Sequence, residues 1–288
     1  MHETIAAPAK INLYLAVTGR RPDGFHTLES LVAPLEFGDR MDISFSASGV
    51  DSLTCSDPDL SCGEDNLILR AITAYRKYSP FSQSLTIHLH KHIPSGAGLG
   101  GGSSDAAAIL SWMNRHSSRP LPEASLIEVA ASVGSDCPLF LYPRPMLMKG
   151  RGELLYEVSD SIHQVLSSKT LVLFKPHFSI STVWAYRQLA QEQAYTPSSL
   201  SMDSEDRLNI LPPLFNSFES VAFYKYPIYR VLASELQASG LPPFLMSGSG
   251  SAGFVFLENQ DSNTVIEVVR SVLGRESFAL TTRVINPE

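Results

Sequence analysis

The chain has 288 residues, 44% hydrophobic and 18% charged, and its 29 acidic against 22 basic residues leave a formal charge of −7. That composition is globular, too apolar for a disordered chain, and its negative balance excludes a general electrostatic pull toward nucleic acid or an anionic membrane. At roughly 150 residues per domain the length predicts about two domains, and no run approaches the roughly 18 consecutive apolar residues of a membrane span.

The first residues carry Glu3 and Pro8, where a secretory leader needs positive charge and an unbroken apolar stretch. Residues 11–17 alternate, with Ile11, Leu13, Leu15 and Val17 apolar, which predicts a strand with one buried face. The stretch 19–26 (GRRPDGFH) is rich in turn formers. An apolar run over 28–37 and an alternating one over 41–46 follow. Cys55, Cys62 and Cys137 lack zinc-site spacing and cannot all pair, so a reducing, cytoplasmic setting is expected, with no disulfide framework and no structural metal. A helix is expected from about Asn66, on the spacing of Ile68, Ala71, Ile72 and Tyr75, with Pro80 past its end. Leu85, Ile87 and Leu89 mark a strand. His88, His90 and His92 alternate on one face of it, but with no acidic or cysteine partner nearby in sequence they read as a polar face rather than a metal site.

Next comes Pro94-Ser95-Gly96-Ala97-Gly98-Leu99-Gly100-Gly101-Gly102-Ser103-Ser104, followed by a strongly helical run from Ala106 to Met113. Helices are expected over 123–133, 181–193, 214–225, 227–239 and 262–273. Strands are expected over 146–158 and 170–175, on either side of a Gly/Ser loop at 247–253, and at the C-terminal end. The polar segment 194–206 reads as a surface loop. Single and paired strands between helices make the class mixed α+β, with a boundary near 150–160.

Five of the seven residues from Gly96 to Gly102 are glycine. Glycine admits positive φ and lets backbone N–H groups approach a ligand, and the helix that leaves the loop adds its positive dipole end. Ser103 and Ser104 add hydroxyls, so the segment reads as a polyphosphate cradle. It is not a Walker loop, since no lysine follows the glycines. Gly96-Ala-Gly98-Leu-Gly-Gly101 formally fits the dinucleotide fingerprint, but no acidic residue ends a second strand about 20 positions on. Gly248-Ser-Gly250-Ser-Ala-Gly253 fits the protein-kinase loop by accident, because the chain after it is too short for a kinase lobe.

Three segments, Pro8-Ala-Lys-Ile-Asn-Leu-Tyr-Leu15, Pro94 to Ser104 and Leu245-Met-Ser-Gly-Ser-Gly-Ser-Ala-Gly253, resemble in order and spacing the signature motifs of the GHMP small-molecule kinases. The DGFH turn, Glu64–Ile68, Gly134–Pro138, Gly150–Glu153, Ser179–Thr182 and Asn216-Ser-Phe-Glu219 extend the resemblance over nearly the whole chain. They point to the branch that acts on 4-diphosphocytidyl-2-C-methyl-D-erythritol. The resemblance implies a two-domain α+β fold. Its N-terminal, ATP-binding domain (1–155) is like ribosomal protein S5 domain 2, its C-terminal domain (156–288) is ferredoxin-like, and the active site lies in the cleft between them.

It also implies roles. Asp136 would accept the proton of the substrate's 2-hydroxyl and Lys10 would pair with it and steady the phosphoryl. Read on their residues alone, these are a turn aspartate and a solvated strand lysine. Phe25 and Tyr186 would sandwich the cytosine and His26 would hydrogen-bond it; alone, the two rings read as core. Asn12 and Thr182 would contact the polyol–diphosphate portion. Asn66 and Lys91 would face the adenosine, with the segment Pro94–Ser104 around the phosphates. The Ser247–Gly253 loop would pack near the second substrate. Mg2+ would arrive with ATP, and Ser103 and Ser104 are candidates to contact it or a phosphate. The expected partner is a small molecule with a cytidine diphosphate moiety, not nucleic acid or membrane, and the expected state a monomer or weak homodimer. A related kinase acting on homoserine or mevalonate, a nucleotide sensor without turnover and a dehydrogenase remain as rivals.

Overall fold

The computed structural model describes residues 2–197, 200–205 and 207–286. Two long strands open the chain, β1 (His2–Arg20) and β2 (His26–Phe45), joined by the DGFH turn. They are longer than the alternating runs that announce them. Pro34 and Gly38 break the pattern of β2 in sequence without ending the strand. A Cβ at Gly38 would lie 2.4 Å from the Ala7 carbonyl oxygen and 2.7 Å from Pro8 Cα, so only glycine lets β1 pass there.

The chain divides into two compact units, both discontinuous. The first comprises residues up to Ala9, Phe37–Pro94 and Gly100–Pro143; the second Lys10–Glu36, Ser95–Leu99 and the chain from Arg144. β1 and β2 each contribute to both, and the expected cut after residue 155 falls inside a strand, Leu154–Glu157, of the second unit.

In the first unit β3 (Ser52–Cys55) runs parallel to β4 (Leu85–His90), which pairs antiparallel with β2 from Arg40↔His90 to Phe45↔Leu85. Three helices, α1 (Leu67–Tyr78), α2 (Gly101–His116) and α3 (Glu123–Val133), pack together and share a core with Ile43, Ile87 and Leu89 that includes Ile72, Tyr75, Trp112 and Val129. α2 begins at Gly101, ahead of the apolar run. Two glycines in its first turns cost about 1 kcal/mol each in propensity. Contact overrides that cost, because a Cβ at Gly101 would stand 2.8 Å from Lys91 Nζ.

The second unit holds the hairpin of β5 (Met146–Gly150) and β6 (Leu154–Glu157), with β5 antiparallel to β2 from Leu28↔Gly150 to Val32↔Met146. After it come α4 (Asp160–Ser167), β7 (Thr170–Lys175), α5 (Thr182–Glu192), β8 (Phe215–Asn216), α6 (Phe218–Lys225), α7 (Ile228–Ala238), β9 (Phe244–Met246), β10 (Gly253–Leu257), α8 (Ser262–Leu273) and β11 (Phe278–Arg283). α4 has no sequence expectation behind it, since only Ile162 and Leu166 are buried on its short length. β8 pairs parallel with β1 through Tyr14↔Phe215 and Leu15↔Asn216. The second sheet is antiparallel in the order β11-β7-β10-β9, the expected ferredoxin-like arrangement. The described residues of the expected loop 194–206 form no helix, and 198, 199 and 206 lie outside the described residues. Among the described residues no helix is long and apolar enough to cross a membrane.

Candidate active site

The glycine run is shared between the units. In the second unit, Gly98 has φ +76°, and a Cβ on it would lie 2.3 Å from the Ser247 carbonyl oxygen and 3.1 Å from that of Gly250. Glycine is therefore demanded by the approach of two backbones as well as by the dihedral. Gly98→Ala should destabilise the protein by on the order of 4 kcal/mol. Thermal denaturation should show this as a Tm lower by roughly 10 °C; an unchanged Tm would mean that the two loops do not touch.

That approach completes a buried network around Lys10. Its Nζ donates to Gly98 O at 2.7 Å and to Asn12 Oδ1 at 2.5 Å. Ser247 Oγ donates to Gly98 O at 3.1 Å and accepts from Asn12 N at 3.3 Å. Asn12 Nδ2 donates to Ser30 Oγ, 2.7 Å away, and Ser30 Oγ donates to Tyr14 O at 2.8 Å. Lys10 and Asn12 are only 7% and 6% exposed. An ammonium at that depth needs oxygen partners, and two are supplied by Asn12 on its own strand and by Gly98, 88 residues on, which Ser247 in turn holds. The solvated strand lysine is excluded.

The base-recognition candidates lie on the DGFH turn and α5, also in the second unit. The His26 ring stacks on Tyr186, centroids 4.8 Å apart and planes at 26°, with Tyr195 6.2 Å away. His26 Nε2 is buried without a protein hydrogen-bond partner. Burial, and secondarily the Arg20 charge, lower the His26 pKa, so its ring is neutral at neutral pH. Phe25 and Tyr186 are the expected walls of the base sandwich: Tyr186 stacks on His26, and Phe25 is 57% exposed, with the Arg151 guanidinium 5.0 Å from its ring centroid. Thr182, at the start of α5, meets Ser249 of the Ser247–Gly253 loop, hydroxyl to hydroxyl at 2.8 Å.

In the first unit, Gly100 caps α2 in the left-handed region at φ 75°, with no side chain competing for the N-terminal N–H groups. Ser104 Oγ is buried in the first turns without a protein partner, an orphaned hydroxyl that a phosphate oxygen or a water on a metal ion would satisfy. Lys91 is committed elsewhere: its ammonium is paired with Asp39 and lies 3.4 Å from Asp105 Oδ2. Asp39 Oδ1 also accepts from His92 N and Ile93 N, at 2.6 and 2.8 Å. Burial raises the Asp105 pKa, against the pull of Lys91. Asn66 is likewise engaged, capping α1 through Ile68 N at 2.9 Å and donating to Ser61 O at 2.7 Å.

Asp136 stands directly before a 3₁₀ turn (Cys137–Leu141), but its side chain makes no capping bond; it accepts from Ser135 Oγ at 3.2 Å. The helix-cap role is thus not taken up. Of the three alternating histidines, His90 Nε2 lies 2.7 Å from Asp42 Oδ2, His88 Nδ1 2.8 Å from Thr54 Oγ1 and His92 Nδ1 3.2 Å from Gly38 O. The pairing of β2 with β4 supplies the acidic partner that sequence proximity did not. Among the described residues no three His, Cys, Asp or Glu side chains cluster to hold a metal ion.

Asp39, Ser30, Asn216 and Glu219 complete these networks and had no role assigned from sequence. For Asn216 and Glu219 the NSFE segment was the only signal and for Ser30 the segment TGRRPDGFHTLES that it closes; for Asp39 there was none, since its partners are remote in the chain.

Residues 66–144 match the family model of the GHMP kinases N terminal domain. The chain is 38% identical to the 4-diphosphocytidyl-2-C-methyl-D-erythritol kinase of Methylacidiphilum infernorum (isolate V4), covering 93% of this chain and 92% of that protein. It is 37% identical to the kinase of the same name from Synechococcus sp. (strain CC9311), covering 95% and 93%. The crystal structure of a 4-(cytidine 5'-diphospho)-2C-methyl-D-erythritol kinase superposes with a TM-score of 0.76 at 32% identity, over 98% of this chain and 99% of that one. Methanococcus jannaschii mevalonate kinase shares the fold, with a TM-score of 0.70 at 12% identity over 99% of each chain.

Proposed function

The chain belongs to the GHMP kinases, in the family of 4-diphosphocytidyl-2-C-methyl-D-erythritol kinases, and from that premise we propose that it transfers the γ-phosphoryl of ATP to the 2-hydroxyl of 4-diphosphocytidyl-2-C-methyl-D-erythritol, releasing ADP. It is a small-molecule kinase with ATP as phosphate donor. We place it in the cytoplasm, as a monomer or weak homodimer, in the non-mevalonate route to isopentenyl diphosphate.

The observation that carries this reading is the Lys10 network. The PAKIN strand, the glycine loop and the Ser247 loop close on one buried ammonium. Phosphoryl transfer asks a protein chiefly for positioning and charge neutralisation. In this reading Asp136 accepts the hydroxyl proton, and Lys10 stabilises the charge that develops on the transferring group. The segment Pro94–Ser104 and the N-terminus of α2 hold the phosphates. Asn66 and Lys91 line the adenosine side, Lys91 through its stem and backbone because its ammonium is engaged. Asn12 and Thr182 hold the polyol–diphosphate portion. Mg2+ arriving with ATP would supply neutralisation of the phosphate charge, and the orphaned Ser104 hydroxyl, with Ser103 beside it, would meet a phosphate oxygen or a water on that ion.

The cytosine stacks on the exposed face of Phe25, beside Tyr186, and takes a hydrogen bond at His26 Nε2, the buried ring nitrogen left without a protein partner. His26→Ala should raise KM for the cytidyl substrate about 30-fold while leaving KM for ATP within about 2-fold. Steady-state kinetics in both substrates would show it; equal effects on the two constants would remove His26 from the base site. ATP consumption with the cytidyl substrate, compared with homoserine and mevalonate, tests the function. Turnover only with homoserine or mevalonate would reject it.

A further inference from the structure

Asn216 sits on β8 opposite Leu15 and is 3% exposed. Its Nδ2 donates to two carbonyls of one loop, Met246 O at 2.6 Å and Gly248 O at 2.8 Å, while its Oδ1 accepts from Phe218 N at 2.9 Å. Both amide hydrogens and one acceptor site are used, a combination that no acid, hydroxyl or aliphatic side chain of this size supplies. The two carbonyls flank Ser247, so fixing them fixes Ser247. Gly248 has φ +57°, and its α-carbon lies so close to the Lys10 network that a Cβ would meet Gly98 O at 3.1 Å and Lys10 Nζ at 3.3 Å. Glu219 holds the preceding peptide, accepting from Met246 N at 2.7 Å, and Tyr229 anchors the loop's far end by donating to Ser251 O at 2.7 Å.

We propose that Asn216 is a positioning residue for the phosphoryl transfer: by seating the Met246 and Gly248 carbonyls it sets where Ser247 and Gly248 stand against Lys10, and so where the Lys10 ammonium points. The inference rests on the reading of Lys10 as the cation at the reacting centre. Asn216 acts through the loop and touches neither substrate. Its contribution therefore belongs to kcat, because a misdirected ammonium costs transition-state stabilisation more than ground-state binding.

The test uses Asn216→Asp, Asn216→Ser and Lys10→Met in the full-length protein, assayed with ATP and 4-diphosphocytidyl-2-C-methyl-D-erythritol. In Asn216→Asp an ionised carboxylate faces two carbonyl oxygens, whereas the protonated acid can donate to one of them. Burial raises the pKa of that introduced carboxyl, so repair grows as pH falls. At about pH 8, Asn216→Asp should lose about 30-fold in kcat with KM for both substrates within about 3-fold, and should regain about 10-fold relative to wild type by about pH 6. Asn216→Ser, which keeps one donor and adds no charge, should lose about 10-fold in kcat with no such pH-dependent recovery. Wild-type kcat in both variants overturns the inference. So does a loss of kcat that disappears when activity is expressed per folded molecule, measured by circular dichroism, with no recovery in acid. Wild-type turnover in Lys10→Met would instead overturn the reading beneath it. Inactive Lys10→Met beside unaffected Asn216 variants would sink the positioning role alone.

Discussion

Asp136→Asn should lower kcat about 1,000-fold, with KM for ATP and for the cytidyl substrate within about 3-fold of wild type. The amide keeps the size and hydrogen-bonding shape of the carboxylate but cannot accept a proton from the 2-hydroxyl. The fold should tolerate the change, because the Asp136 side chain makes no capping bond to the 3₁₀ turn behind it and its Oδ1 partner is the adjacent Ser135 hydroxyl. Single-turnover phosphoryl transfer, with circular dichroism to confirm the folded state, measures both halves of the expectation. Near-normal kcat in a folded variant would remove the base assignment.

Lys10→Met should lower kcat about 300-fold, the scale of deleting one preorganised charge from a transition state. Here stability should also suffer. The Lys10 ammonium is donor to Asn12 Oδ1 and Gly98 O inside the protein; methionine leaves Asn12 Oδ1 short of that donor at a cost of about 1–3 kcal/mol, while Gly98 O keeps the Ser247 hydroxyl. The discriminating comparison is therefore kcat per folded molecule. If Lys10 and Asp136 act on one alcohol, the double variant should fall well short of the product of the two single effects, as groups acting as a unit do. Full multiplicativity would separate them.

The chemistry was more legible in the sequence than the geometry that delivers it. Five glycines in seven residues marked a loop of unusual backbone freedom, and Gly98 shows why that was readable: its positive φ and its close neighbour are both properties that only glycine satisfies. The strand and helix periodicities placed most elements, since apolar spacing reports which face is buried. What escaped were pairings across long stretches of chain. Lys91 is held by Asp39, 52 residues earlier, and no local pattern distinguishes such a lysine from a solvent-facing one. The extent of β2 escaped for a related reason. Pro34 and Gly38 look like strand breakers until β1 lies beside them and Gly38 proves to be the gap through which Ala7 and Pro8 pass. α4 was unread because a helix with two buried residues carries too little periodicity. Ring identity is legible at Phe25, His26 and Tyr186, but the stacking of His26 on Tyr186 is not, since ring orientation follows from tertiary packing.

The uncapped nitrogen of His26 has a practical corollary for inhibitor chemistry. Because the ring is neutral and its Nε2 is already shielded from solvent and unpaired, a compound that fills this corner with bare hydrocarbon leaves that atom unsatisfied and stays about 1–3 kcal/mol short of one that pairs it. One that presents a single matched donor or acceptor recovers that sum from one atom. Fragment screening at this corner should therefore rank heteroaromatics by the placement of one nitrogen or N–H rather than by size.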